Sequence, residues 1–161
     1  MKKLAKLVPA VLLAMAMLAS EPVGANAAVS VVGRIDGGGT SQMDAGAPLQ
    51  GGSSFSLGVT LMSDGSARGE FHCVDFQGDT LAGNIFGEIT RWSKNADGSV
   101  TLYGSAKLVF IPGGPVANDL PFSVTIQHFG GAGVGHWTLD ALGRTVCFET
   151  LISGQIVARW N

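Results

Sequence analysis

Helical periodicity is what this sequence has least of. From Val29 onward almost no segment repeats its apolar residues at the 3.6-residue spacing of a helix that buries one face. That absence removes the motifs that open helices. No G-x-S-x-G stands at a strand-to-helix elbow, and GGAGVG (130–135) has neither the spacing of a nucleotide-binding loop nor a following Lys-Ser or Lys-Thr. No cofactor fingerprint remains. Cysteine is equally scarce. Cys73 and Cys147 are the full complement, so the closely spaced thiol pairs favoured by structural zinc are missing. The single tyrosine, Tyr103, cannot supply the aromatic girdles of an outer-membrane barrel. Positive charge is also short: residues 28–161 carry seven basic and eleven acidic side chains. This balance argues against a general role on nucleic acid or anionic membrane. Beyond residue 27 nothing approaches the run of about 20 apolar residues that a transmembrane helix needs.

What is present begins with MKKLAKLVPAVLLAMAMLASEPVGANAA. Lys2, Lys3 and Lys6 precede an apolar stretch from Leu7 to Ala19, and Ala25-Asn26-Ala27 supplies a small-x-small cleavage pattern. Residues 1–27 are read as a signal peptide cut after Ala27, with the next residue as the alternative. The product would be secreted or periplasmic, of bacterial type. The remaining 28–161 has the length of one domain.

That domain reads as all-β. In SSFSLGVTLM, Phe55, Leu57, Val59 and Leu61 alternate with Ser54, Ser56, Gly58 and Thr60, as in a half-buried strand. Asp64-Gly65 then signals a tight turn, and GEFHCVDF returns as the partner. NIFGEITRW, a turn at Asp97-Gly98 and VTLYGSAKLVFI repeat the arrangement. LPFSVTIQHF places Phe122, Val124, Ile126 and His128 on one face. HWTLDAL, TVCFETL and GQIVARW complete the set, with VSVVGRI as a first strand. Eight or nine strands joined by short turns predict an antiparallel meander, and a barrel is favoured over a sandwich because closure removes the edges. Asp36 to Gly52, rich in glycine, is expected to be a flexible loop.

The chemistry-bearing residues yield few sites. Adjacent strand residues point to opposite faces, so His72 and Cys73 cannot share a small coordination sphere, and no metal site is expected from His72, Cys73, His128, His136 and Cys147. No catalytic residue is assigned and the chain is read as a non-enzyme. A hydrolase using a carboxylate pair from Glu70, Asp75, Glu88 or Asp140 would turn on separation in space, which sequence does not set. Cys73 and Cys147 are a candidate disulfide, the alternative being two buried or separate thiols. Against the bond, Cys147 alternates out of phase with Val146 and Phe148 if those two face the core. Phe86, Trp92 and Tyr103 are a candidate binding surface, with Phe86 and Trp92 expected on one face of their strand.

The order of GGSSFSLGVTLMSDGSARGEFHCVD, YGSAKL, LPFSVTIQHFGGAGVGHWTL and TLISGQIVARW resembles the small bacterial secreted modules known as post-COAP domains. The resemblance covers nearly all of 28–161 and rests on glycine spacing and alternating strands. It implies an extracellular antiparallel β domain without an established catalytic set. The chain departs from that pattern in GGAGVGHW, where His136 stands near the position of a usual aspartate, and loop-borne ion binding is not carried over. Two functions follow as expectations: an exported, non-catalytic module with a structural or interaction role at a cell surface, or a lipocalin-like barrel holding a small apolar ligand.

Overall fold

Inward alternation on successive strands closes this chain into a barrel. The computed structural model describes residues 28–47, 51–75, 83–110, 113–114 and 116–161. The strands are β1 (Val31–Met43), β2 (Gly52–Met62), β3 (Ser66–Asp75), β4 (Gly83–Lys94), β5 (Val100–Phe110), β6 (Val116–His128), β7 (Gly130–Gly131), β8 (His136–Ala141), β9 (Arg144–Leu151) and β10 (Gln155–Trp160). All pairings are antiparallel. Eight strands, β1 to β6 with β8 and β9, form the closed ring, while β10 lies beside the first half of β1 and carries the short β7. The expected barrel is the observed fold. Residues 1–27, expected to be a signal peptide, lie outside the described residues.

The hairpin turns follow from two Asp-Gly-Ser triplets. Asp64 Oδ1 accepts from the Ser66 backbone N–H at 2.9 Å and its hydroxyl at 2.6 Å, and Asp97 Oδ1 takes the same pair from Ser99 at 2.9 and 2.6 Å. These bonds hold both carboxyls below their ordinary range. Gly65 and Gly98 supply the positive φ that such turns require. Both aspartates are turn formers.

One strand is longer than the sequence suggests. The expected loop from Asp36 to Gly52 is corrected over its first half, because residues 36–43 continue β1 through GGGTSQM; residues 44–47 form a turn, and 48–50 lie outside the described residues. β1 pairs with β2 from Val31 to Gln42, and its other edge is shared between β10 (Gly33 to Gly38) and β9 (Ser41 to Met43). The glycines there reflect crowding. A Cβ on Gly39 would stand 2.1 Å from the Ser153 carbonyl oxygen, and one on Gly154 would stand 1.9 Å from that of Gly38. With no apolar alternation to reveal it, a strand built from small residues reads as a loop.

The middle of the barrel is filled. Phe55, Phe71, Phe122 and Trp137 meet there, with Trp137 5.5 Å from Phe55 and 5.3 Å from Phe71 between ring centroids. Phe71 and Phe122 lie 6.4 Å apart. Leu57 and Leu108 are buried beside them. Such rings each bury a large apolar area, and together they dominate the stability of a small core.

β-Bulges change the phase of several strands. A shift between Ile89 and Arg91 pairs Trp92 with the buried Leu102, while Phe86 pairs with Lys107 on the outside. Trp92 therefore does not share a face with Phe86. A second shift between Ile126 and His128 turns His128 outward opposite His136, correcting its expected place beside Ile126. Another lies between Leu139 and Asp140.

Gly154 combines a φ of 82° with this crowding, whereas Gly98 has a φ of 89° and nothing within 4 Å of the point where a methyl group would stand. Gly154→Ala should cost about 3 kcal/mol, backbone strain and overpacking together, against about 1 kcal/mol for Gly98→Ala. Urea unfolding of the two variants checks the difference; equal losses would contradict the packed crossing of β1 and the 152–154 turn.

Candidate functional site

The inward residues on four neighbouring strands change character toward one end of the barrel. Ser41 on β1, Ser53 on β2, Cys73 and Asp75 on β3, and Cys147 and Glu149 on β9 all point inside. Register sets this: Ser41 pairs with Ser53, Ser53 with Asp75, and Phe55 with Cys73. On the other side Trp137 pairs with Glu149 and Leu139 with Cys147. Trp137 and Leu139 are core residues, so Glu149 and Cys147 lie inside with them. The premise that Val146 and Phe148 face the core is corrected for Phe148, which occupies the opposite phase and is only partly buried; Val146 sits at the irregularity opposite Leu139 and Asp140 and lines the same space as Cys147.

Glu149 is the centre of this group and is completely buried. Its Oε2 accepts from the Ser41 hydroxyl and from the Ser53 hydroxyl, the latter at 2.5 Å, and the two hydroxyls lie 3.2 Å apart. Its Oε1 has no hydrogen-bond partner. Burial pushes the carboxyl up, against the pull of the two serines and the Cys147 thiol. Asp75 is raised by burial too, partly offset by the Gly83 backbone N–H, which donates to Oδ2 at 3.2 Å. Both thiols are raised by burial first and by the Glu149 carboxylate second. They are therefore protonated and weakly nucleophilic in this state.

Above this floor lies a cavity of about 190 Å³. Its lining is mainly apolar, including Met43, Ile85, Leu108, Phe110 and Leu139, with Arg144 among the polar contributors and Cys73, Asp75 and Cys147 also on its wall. The candidate disulfide partners thus meet the same space, and no disulfide joins them. Two carboxyls, two thiols and two hydroxyls in an apolar surround can hold a cation or accept a donor group.

The other residues singled out by sequence are dispersed. His72 is on the outer face, 3.4 Å from Glu70 and edge-on to Phe86. His136 is also outside, held between Asp44 (Nε2 to Oδ2, 2.8 Å) and Gln127 (Nδ1 to Oε1, 3.0 Å). The candidate surface of Phe86, Trp92 and Tyr103 is not one strip. Phe86 is exposed, Tyr103 lies under the Arg91 guanidinium at 5.3 Å, and Trp92 packs on the core with its Nε1–H donating to the Met62 carbonyl at 2.9 Å. Of Glu70, Asp75, Glu88 and Asp140, only Asp75 reaches the cavity.

Sequence reasoning missed Glu149, Ser41 and Ser53. The available signal was the alternation Cys147-Phe148-Glu149-Thr150-Leu151, in which Leu151 fixes the inward phase. No family model, curated protein or solved structure matches the chain.

A carboxyl raised by folding binds its proton more tightly in the native state, so stability falls as pH rises from the unfolded value of about 4.5 through the raised native one. Asp75 adds the same sign. Glu149→Gln should flatten this slope and leave the protein more stable than the parent at pH 7. Chemical unfolding between pH 4 and pH 8 in chelator-containing buffer provides the measurement, and an unchanged slope would contradict the buried carboxyl.

Proposed function

We propose that this chain is an exported, non-catalytic β-barrel module with a structural or interaction role, of the kind its resemblance to post-COAP domains implies. The observation that carries this reading is the filled centre. A barrel whose middle is occupied by Phe55, Phe71, Phe122 and Trp137 has no calyx running through it, unlike barrels that carry large ligands.

A second reading is favoured by the end cavity. Its volume of about 190 Å³ is enough for a small apolar molecule, since a buried apolar cavity of about 150 Å³ can hold benzene or xenon. The ligand would sit among Ile85, Leu108, Phe110 and Leu139. This is a much smaller guest than a lipocalin-like interior takes.

Expression of the full chain in a bacterial host tests the first reading. Intact mass of the exported protein should begin at Ala28, and native mass spectrometry should find no organic molecule retained. Uncleaved protein in the cytoplasm would overturn export, and a stoichiometric bulky organic guest would overturn the packed scaffold.

The cavity reading makes its own prediction. Benzene should raise the melting temperature of the parent and not that of Ala141→Leu, whose larger side chain enters the cavity. Filling it should itself stabilise by about 1 kcal/mol. An equal benzene shift in both proteins would place the ligand elsewhere.

A further inference from the structure

We infer that the floor of the end cavity is a site for a thiophilic divalent cation of the zinc class, with Cys73, Asp75 and Glu149 as its protein ligands. Among the described residues, Cys73 Sγ and one carboxylate oxygen each from Asp75 and Glu149 lie within 4.8 Å of one another, close enough to converge on a single ion. Metal–sulfur bonds of about 2.3 Å and metal–oxygen bonds of about 2.1 Å set neighbouring donor atoms about 3.5 Å apart in a tetrahedral site, so a bound ion draws the three side chains in from separations of up to 4.8 Å.

A second observation points independently to a ligand. Glu149 is fully buried, and while Ser41 and Ser53 both serve Oε2, Oε1 has no partner. An orphaned carboxylate oxygen deep in a barrel is costly, and protein hydrogen bonding does not satisfy it here. A cation shared with Cys73 and Asp75 supplies what Oε1 lacks. The surrounding contacts resemble those that orient metal ligands elsewhere: two serine hydroxyls hold Glu149, and the Gly83 N–H holds Asp75.

The donor types choose the ion. Thiolate and carboxylate together select a borderline metal such as Zn²⁺ over Mg²⁺ or Ca²⁺, which prefer oxygen alone. Cys73 and Asp75 line the end cavity, which gives an ion its path to them. Three ionised ligands around one divalent ion leave a charge of about −1, which costs less in a low-dielectric interior than a fourth anionic donor would.

Metal binding here does not depend on the proposed role, because export and the packed centre stand or fall separately. Its test uses Co²⁺ as a spectroscopic probe on the purified, reduced protein. One equivalent should give a sulfur-to-cobalt charge-transfer band, displaced by Zn²⁺, with Zn²⁺ raising the melting temperature. Cys73→Ser should abolish the band. Glu149→Gln should abolish tight binding while leaving the apo protein folded, which its urea curve verifies, and Ser53→Ala should weaken affinity by about tenfold. Three results would overturn the site: no charge-transfer band, binding unchanged in both Cys73→Ser and Glu149→Gln, or a Cys73–Cys147 disulfide that forms in the exported protein and leaves no thiol to titrate.

Discussion

Barrel closure through β1 is the constraint on which the rest of the molecule depends. This strand pairs along its length with β2 and divides its other edge between β10 and β9, so it alone joins the two ends of the sheet. An open sheet of this composition would present unpaired edges and an apolar face to water, and no helix among the described residues covers either. Closure solves both problems together. It also requires close backbone approach where β1 passes the 152–154 turn, which is why small residues occupy its middle. Its pairings join residues more than a hundred positions apart, as between Ser41 and Leu151, and contacts of that range form late because their loop entropy must be met first.

Once the ring is closed, every strand has only one choice left, its phase. Inward positions on β2 and β3 are fixed by Phe55, Leu57 and Phe71, and on β8 and β9 by Trp137, Leu139 and Leu151. Cys73, Asp75, Cys147 and Glu149 then face inward because they continue the alternation of those anchors, whatever their own polarity. Desolvation of Glu149 is the consequence. The aromatic centre supplies burial to offset it, and the two serines recover part of the lost hydration at Oε2.

Phase also decides which parts were legible in the sequence. β2 alternates cleanly and its turn carries Asp64-Gly65, so both strand and hairpin were readable, and the split of His72 from Cys73 followed from strand geometry alone. GGGTSQM was not readable, because a strand chosen for close approach has no apolar side chains to mark its period. The phase of Cys147 turned on whether its hydrophobic neighbours Val146 and Phe148 face the core; Phe148 takes the opposite phase, half-buried, while Val146 sits at a strand irregularity and lines the cavity. Trp92 and His128 were displaced by bulges, each of which inserts one residue and inverts every inference made by counting across it. The site failed to appear for a related reason: its parts come from four strands, and Ser41 and Glu149 are 108 positions apart.

β9 shows how an outer and an inner constraint fix one location. On its outer side Thr150 donates to Asp44 Oδ1 at 2.8 Å, and Asp44 is held in turn by His136. Met43, directly opposite Glu149 in the ladder, is thereby kept over the cavity as the chain enters the turn. The outer network and the inner site are thus built on neighbouring residues of the same two strands. A chain shaped for stability alone would place apolar side chains at Glu149, Ser41 and Ser53, since a buried polar set left incompletely paired is worse than a hydrophobic one. The inward positions elsewhere follow that rule, as from Phe55 to Leu61 on β2 and from Ala106 to Leu108 on β5. The exception is confined to one end, enclosed on four adjacent strands, and contains the buried carboxylate oxygen that the protein leaves unmatched. Where local rules give way in so compact a place, the cost is carried for what the site holds rather than for the fold.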